Sequence, residues 1–559
     1  MNSFEERFAY SLHFEGAESD EDRLKKCIDQ LFRIPLIIQD TRSTDNAEMY
    51  GALASRAKSR GDYEVAVNFY TKALQEVFPY CELSAILYSN RAKALGCLQM
   101  YEESLIDIDR AIEISPNTEF TKHFNDTKMD LEKKASRPHT KQNNRNHFED
   151  IPSLSHNENK DIPGMSDAVR LVHSTKYGVN FEATKPIGSG DVILIEKPQV
   201  TSVLNSTVAL ARVCHYCLNR RRALLPCERC NSALYCSKEC RAKAYEEYHQ
   251  FQCNSKNFPE DVQFVIILLM KIIENGEKLA EAIKYCEKLD TMNADSMQEF
   301  CTIRDNLGDN LKSVLNLSIS MKDNDKRNAK NILISAHTAS FLRNQTNYMR
   351  GHNDVLSVAK LLFRLFYIFH AHIFLEDISV DKDNVSGVYN LYSLLSLFPH
   401  SCCANTVYSI HKNGVIAVRA AKDMKPGEQI TFNFLRTSRS VTLITDFISR
   451  QIVLQEEKRI LCNCMACEYH YDFKLEFGGK LKIPKELERR LRKKRFDMDS
   501  LWELLKIINN ERSRPCLEAE LLKAALPDIY LGKRDTVSIS KFIHTGLSAN
   551  LNFACIVFD

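Results

Sequence analysis

The 559-residue sequence has almost no excess charge: Lys and Arg total 75 against 73 Asp and Glu, a formal net charge of +2. Without an overall basic field, composition does not argue for direct nucleic-acid binding. No stretch of about 18 consecutive apolar residues occurs, so no membrane-spanning helix is expected. The opening MNSFEERFAYSLHFEG is acidic and has no apolar core of the signal-peptide kind, which points to residence inside the cell, cytoplasmic and/or nuclear. What the chain does have is size and cysteine. Its length allows roughly three to four domains, and its 44% hydrophobic content suffices for real cores. Nineteen cysteines in a reducing compartment call for metal rather than disulfides. Eight of them (Cys27, Cys81, Cys97, Cys286, Cys301, Cys403, Cys516 and Cys555) are scattered and read as ordinary small buried residues.

Of the other eleven, ten fall into two groups and Cys402 stands apart. The first group follows C-x2-C-x9-C-x2-C-x5-C-x3-C-x8-H-x3-C: Cys214, Cys217, Cys227, Cys230, Cys236, Cys240, His249 and Cys253. Eight such ligands make two tetrahedral zinc sites. C-x2-C lets a knuckle present two thiolates to one ion, whereas C-x3-C and H-x3-C place ligands one helical turn apart. So small a segment has too little core to hold its shape without metal. Three more cysteines, Cys462, Cys464 and Cys467, are spaced C-x-C-x2-C and lack a fourth ligand.

Around these clusters the chain divides by pattern. After an N-terminal segment (1–45), residues 46–134 read as paired helices: Tyr63 and Ala73 in GDYEVAVNFYTKAL recur as Tyr101 and Ala111 in QMYEESLIDIDRAI, offset by 38. Small Ala66, Ala73, Ser104 and Ala111 allow close helix approach. LYSNRAKALGCL (87–98) supplies the helix between. The polar stretch 135–163 reads as a linker. Alternation in VNFEATKPIGSGDVILIEKPQV (179–200) predicts a β-hairpin. Helices are expected over about 258–375, and a second hairpin over 406–421, turning at Asn413-Gly414. The basic run CLNRRRALLP (217–226) and the charged tail from about 480 read as solvated faces.

Residues 46–134 resemble tetratricopeptide repeats, which hold peptide tails in a groove. The Lys and Asn of the carboxylate clamp would fall on Gly51 and Ser55, with only Asn90 fitting a later clamp position. The ligand order of 214–253 is similar to the MYND finger, which interleaves its sites. By that resemblance Cys214, Cys217, Cys236 and Cys240 hold one zinc, and Cys227, Cys230, His249 and Cys253 the other. MYND fingers bind protein partners, often proline-rich peptides. KYGVNFEATKPIGSGDVILIEKP (176–198), SLLSLFPHSCCANTVY (393–408), KPGEQITFNF (425–434) and RILCNCMACEY (459–469) resemble successive pieces of a SET domain and its post-SET segment. The whole order is similar to class 4 of the Smyd family of protein-lysine methyltransferases.

The resemblance implies an α+β multidomain fold: helical repeats, a split β-rich SET domain (164–213 and 386–440) with an inserted MYND finger (214–253), a helical SET insertion (254–385), a post-SET segment (441–470) and a helical C-terminal region (471–559). It makes Cys402 the fourth ligand of a third zinc, although Cys403 is the neighbouring alternative. It also implies S-adenosyl-L-methionine as cofactor, contacted by Lys176, Tyr177, Gly178, Pro399, His400 and Asn405. The substrate would be a lysine-bearing protein, histones and chromatin proteins included. Transfer in such enzymes is an in-line displacement that depends on alignment and a deprotonated amine.

Three positions depart from that pattern. Phe434 stands where the catalytic tyrosine closes the motif and lacks its hydroxyl, a loss worth about 10²–10⁴ in rate. Pro399 replaces a cofactor-binding asparagine and offers neither an amide side chain nor a backbone N–H. Lys176 replaces the first glycine of Gly-x-Gly. Tyr389, Tyr392 and Tyr408 are candidate substitute hydroxyls. Two functions follow: a methyltransferase with weak or lost activity, or a catalytically inactive zinc scaffold recruiting partners through finger and repeats.

Overall fold

The computed structural model describes residues 19–31, 42–115, 119–136, 151–174, 178–204, 213–253, 258–273, 276–291, 297–307, 310–318, 325–343, 346, 352–377, 387–437, 446–458, 460–472, 483–491 and 498–511, with positions 516, 519–520, 522–523 and 526. Helices dominate a mixed helical and sheet fold.

Five helices, Thr44–Ser59, Tyr63–Glu76, Glu82–Cys97, Tyr101–Ile114 and Phe120–Ala135, follow one another in a packed array. Tyr63 and Tyr101, matched in the sequence, each open a helix. Ala66, Ala73, Ser104 and Ala111 are all fully buried, because a helix carrying a small residue every turn lets its neighbour's backbone approach.

The strands are β1 (Val169–Ser174), β2 (Gly178–Ala183), β3 (Val192–Glu196), β4 (Val200–Val203), β5 (Leu225–Pro226), β6 (Leu234–Tyr235), β7 (Phe374–Asp377), β8 (Gly387–Leu391), β9 (Thr406–Ile410), β10 (Ile416–Ala420) and β11 (Gln429–Ile430). They form three antiparallel three-stranded sheets, ordered β1-β2-β11, β3-β10-β9 and β4-β8-β7, and the small β5-β6 ribbon. The expected hairpin over 406–421 forms: β9 pairs with β10, Ile410 opposite Ile416. Asn413 and Gly414 both take positive φ, +61° and +74°, which those two residue types tolerate best.

The expected hairpin over 179–200 does not form. β2 pairs with β1 and β11, whereas β3 pairs with β10. Alternation shows that a strand has two faces but does not name its neighbour. The glycine-rich turn instead delivers the chain from one sheet to another. Ile187 and Met424 exchange backbone hydrogen bonds (3.0 and 2.8 Å), and Gly190 N donates to Ala420 O at 2.8 Å. Gly190 sits at φ +97°, where any Cβ would face the Trp502 ring at 3.6 Å.

Two further segments are integrated more closely than their composition suggests. Residues 151–163, read as linker, run beside β3: Ser155 N donates to Val192 O (3.1 Å), Val192 N to Ser155 Oγ (2.9 Å), and Ile162 enters the sheet core. Helix Asp20–Leu31, in the N-terminal segment, packs Leu24, Cys27 and Ile28 against helices Asp325–Arg343 and His352–His372. Within the latter, Asp354–His372 is long and apolar enough to cross a membrane by length and composition, but 61% of that stretch is buried inside the protein. It is the central helix of the insertion core, alongside Glu260–Ile273. Near the C-terminus, helices Lys485–Leu491 and Met498–Glu511 bury Leu501, Leu504, Leu505 and Ile508 with Val407 of β9 and Ala421.

Candidate functional site

Three groups of metal-binding side chains come together. The ligand atoms of Cys214, Cys217, Cys236 and Cys240 lie within 4.8 Å of one another, as do those of Cys227, Cys230, His249 and Cys253, and those of Cys402, Cys462, Cys464 and Cys467. The first two groups interleave along the chain. Local structure explains their positions. The β5-β6 ribbon holds the second knuckle. Ser237 caps helix Lys238–Ala244 by accepting from Cys240 N, which starts the turn that aligns Cys236 and Cys240 (Sγ–Sγ 3.5 Å). His249 closes a π-helical turn and brings Nε2 to 3.4 Å from Cys230 Sγ. Four sulfurs, or three and an imidazole, at this spacing are the donor sets that zinc takes.

The third group joins distant segments. Cys402 Sγ lies 3.5 Å from Cys467 Sγ and 3.9 Å from Cys462 Sγ. Cys403 is not one of the four grouped ligands; its Sγ lies 3.6 Å from Ser401 Oγ and also interacts with Cys464. Gln451 braces this centre, donating from Nε2 to Cys462 O (2.7 Å) and accepting from Cys462 N (3.3 Å). Arg450 is fully buried next to it and donates to Tyr471 O (2.8 Å) and Ala466 O (3.3 Å). A zinc with four thiolates carries a net double negative charge, so a buried guanidinium is an apt counter-charge. Nothing in the sequence marks Arg450 for this role, because its carbonyl partners lie 16 and 21 residues away.

The basic run at the start of the finger is not a solvated face. It is seated on the helical array. Glu103 accepts hydrogen bonds from the N–H groups of Arg222 (2.6 Å) and Ala223 (2.7 Å). Arg91, fully buried, pairs with Asp107 (2.6 Å) and donates to Leu224 O (2.9 Å). Arg110 pairs with the same Asp107 (3.0 Å) and donates to Ala223 O (2.8 Å). Arg222 pairs with Glu64, and Ala223 and Leu225 complete the array's own core. Periodicity could not show this, since each of these charges looks like ordinary helix surface until its partner is known.

At the SET-like pieces, the 399–402 segment lies beside 431–434. Phe432 N donates to Pro399 O (3.0 Å), Ser401 N to Phe432 O (3.0 Å), and Phe434 N to His400 Nδ1 (3.1 Å). Burial pushes His400 down to about 4, so it stays neutral and accepts that bond. Asn405 cross-links the same strands: its amide binds Gln429 O, Thr431 N and Thr431 Oγ1 at 2.8–3.1 Å. Gly178 opens β2 at φ +62°, its carbonyl taken by Asn180 Nδ2 (2.8 Å). Lys176 and Tyr177 lie outside the described residues. Among the described residues of the expected cofactor set, then, the side-chain groups of His400 and Asn405 are already engaged within the protein, and Pro399 has none.

Phe434 is 8% exposed. Its ring lies 4.9 Å from Phe432 and 6.3 Å from His400. Phe432 meets Tyr408 (5.6 Å), which meets Phe374 (4.9 Å), which meets Tyr392 (5.7 Å). Of the candidate hydroxyls, Tyr392 donates to Gly414 O at 2.6 Å, and Tyr389 packs elsewhere, against Phe264 and Phe369. Of the three, Tyr408 is the one whose ring meets Phe432, the direct neighbour of Phe434.

Glu196 holds the 393–395 segment that leads into Pro399 and His400. It accepts from Leu394 N and Leu395 N (2.9 Å each) and Ser393 Oγ (3.2 Å). Burial outweighs these donors and pushes its pKa up to about 7 from 4.5. Between those values the folded chain keeps a proton that the unfolded chain has lost. Its stability contribution is therefore full below about pH 4.5 and is lost as pH rises through about 7. Glu196→Gln is expected to flatten that part of the thermal-stability profile. An offset between variant and wild type that stays constant across the window would show the assignment to be wrong.

Comparison with known proteins agrees with the finger. Residues 214–253 match the MYND finger family. Protein-lysine N-methyltransferase SMYD4 of Pongo abelii is 27% identical over 320 residues, 45% of this chain and 40% of that protein. The Danio rerio SMYD4 is 25% identical over 214 residues, 34% of this chain and 27% of that protein. N-lysine methyltransferase SMYD2 of Homo sapiens is 23% identical over 298 residues, 52% of this chain and 58% of that protein. The chain thus spans less than half the length of these SMYD4 relatives.

Proposed function

Because the chain belongs to the Smyd protein-lysine methyltransferase family, we propose that it is a zinc-built, protein-binding relative of S-adenosylmethionine-dependent lysine methyltransferases whose own methyl transfer is weak or lost. Phe434 carries this reading. It sits packed among Phe432, His400 and their neighbours, at the position where a hydroxyl would orient the substrate amine. When bound, the cofactor would supply the methyl group. The chain's own part would be to bind a lysine-bearing protein, histones included, and keep water from the ring cluster. The finger supplies a surface for proline-rich segments, and the repeat-like array a rigid base for it. Cytoplasmic and nuclear residence both suit such partners.

The test is S-adenosylmethionine binding by calorimetry on zinc-loaded protein, with labelled methyl transfer measured for wild type and Phe434→Tyr. Transfer should be at background for wild type, and the tyrosine should raise it by about 10²–10⁴ if the cofactor binds. Transfer by wild type at the variant's rate would sink the proposal and turn attention to Tyr408. Absence of cofactor binding in both proteins would leave the scaffold reading: three zinc sites and a docking surface without chemistry.

A further inference from the structure

The post-SET segment turns apolar side chains to solvent. Twelve large hydrophobic residues are exposed among the described residues, and five of them, Ile448, Ile452, Leu461, Met465 and Tyr469, fall within this one segment at 48–76% exposure. They make two rows. Ile448 and Ile452 lie one turn apart on helix Phe447–Val453, and the Arg450 between them is fully buried. In the second row exposure alternates along the chain: Leu461, Asn463 and Met465 are exposed, while Cys462 and Cys464 between them belong to the third metal group. Tyr469 follows one turn on, its N–H donating to Met465 O at 3.2 Å. Two ties hold the rows side by side. Gln451, next to Ile452, exchanges hydrogen bonds with Cys462, next to Leu461 (2.7 and 3.3 Å). Phe447, next to Ile448, stacks on His470, next to Tyr469, with ring centroids 4.2 Å apart. Single exposed apolar residues need no explanation, but a contiguous group of them marks an interaction surface.

The charges around these rows choose the occupant. Among the described side chains of 446–472, the only Lys and Arg are Lys458 and Arg450, at 5% and 0% exposure. Asp446, Glu456, Glu468 and Asp472 are all exposed or half-exposed. Four thiolates around a zinc ion leave a net double negative charge, of which the buried Arg450 offsets half. The rim is therefore acidic. An anionic lipid surface, which attracts basic segments, would be repelled by it. A second copy seated on the same patch would bring two like rims together, because an isologous contact sets each patch against itself.

We infer that this outer face of the post-SET segment docks a basic amphipathic segment of a partner protein. Apolar side chains one helical turn apart on that partner settle on the two rows, and the Lys or Arg residues flanking them meet the acidic rim. The surface goes beyond the finger and the repeat-like array, to which partner binding is assigned above, and it owes its shape to the third metal group.

The experiment uses the full zinc-loaded chain and two short fluorescent helical peptides as probes, with binding read by anisotropy. Both peptides carry leucine at i, i+3, i+4 and i+7; the remaining positions are lysine in one and glutamate in the other. The lysine peptide should bind at least tenfold more tightly than the glutamate peptide. Leu461→Ser with Met465→Ser should weaken that binding at least tenfold at unchanged zinc content. Glu456→Lys with Glu468→Lys should shrink the preference between the two peptides. Ile448→Ser with Ile452→Ser, which alters no residue next to a metal ligand, should give the same loss as the first serine pair and carries the test if that pair costs the third zinc. Equal binding of the two peptides, or lysine-peptide binding unchanged by the serine substitutions, overturns the inference. A concentration-dependent dimer in sedimentation that the serine substitutions abolish overturns it too, and assigns the patch to a second copy of the chain.

Discussion

Removing zinc from the finger should loosen the helical insertion as well as the finger. Cys227→Ser is the most direct way to do it. Cys227 is buried beside Cys230, His249 and Cys253, and structural zinc contributes about 10–16 kcal/mol of apparent binding energy that is also folding energy. The finger's Leu224, Ala233, Leu234, Tyr235 and Tyr248 share one continuous core with helices Glu260–Ile273 and His352–His372. On the other side, Ala223 and Leu225 fill the core of the helical array. The finger therefore contributes buried side chains to two cores at once. The variant should lose one zinc outright, and hydrogen exchange should rise in Glu260–Ile273 and in the array, with a fall in melting temperature well beyond that of a surface substitution. If exchange increases only within 214–253, the finger is an independent module and the shared core is not cooperative.

The second large effect is expected at Asp107. Its carboxylate is fully buried and serves two guanidiniums, Arg91 and Arg110, each of which also holds a carbonyl of the finger loop. Asp107→Ala leaves two buried cations without their counter-charge. Breaking a buried pair in this way costs about 3–5 kcal/mol, because the remaining partner keeps its desolvation penalty. Added salt should not rescue the variant, since buried pairs are little screened. Pairing it with Arg91→Met should recover part of the loss, because one orphaned cation goes. Denaturant midpoints for the four proteins of the cycle give the coupling directly. A loss below about 1 kcal/mol, the level of an exposed pair, would show that the loop and the array are not locked together.

The sequence makes some of this legible and hides the rest for physical reasons. Ligand spacing is short-range and chemically exacting, so Cys214 through Cys253 can be grouped from the order of residues alone. Small residues at matched positions, Ala66 with Ser104 and Ala73 with Ala111, announce close helix packing for the same reason. Asn413-Gly414 reveals its turn because few other residues accept that backbone. Partner choice over long range is another matter. The 179–200 stretch looks like a hairpin, yet β2 and β3 go to different sheets because the turn between them is pinned by Met424 and Ala420. The basic run at Arg220–Arg222 looks solvated until the carboxylates of Glu64 and Glu103 are brought to it by the fold. Asn405 reads as a cofactor contact, while its amide is spent on Gln429 and Thr431. Lys458 and Arg450 gave no signal at all, because a buried cation and an exposed one are the same letter.

The pairing of β4 with β8 sets a condition on how the molecule forms. Val203 lies opposite Val388, and Leu204 N donates to Gly387 O at 2.9 Å. The described residues between β4 and β7, the finger and the insertion helices alike, form a detour that leaves the sheet and returns to it at Phe374. Closing so long a detour costs conformational entropy before any strand pair is made, and contacts of that sequence separation slow folding. Ordering the interior of the detour first, by the metal and the insertion core, would shorten its effective length. The expected order of assembly is therefore zinc early and the sheet that carries Phe374 late, and refolding with a chelator present should be slowed most in the protection of β4 and β8.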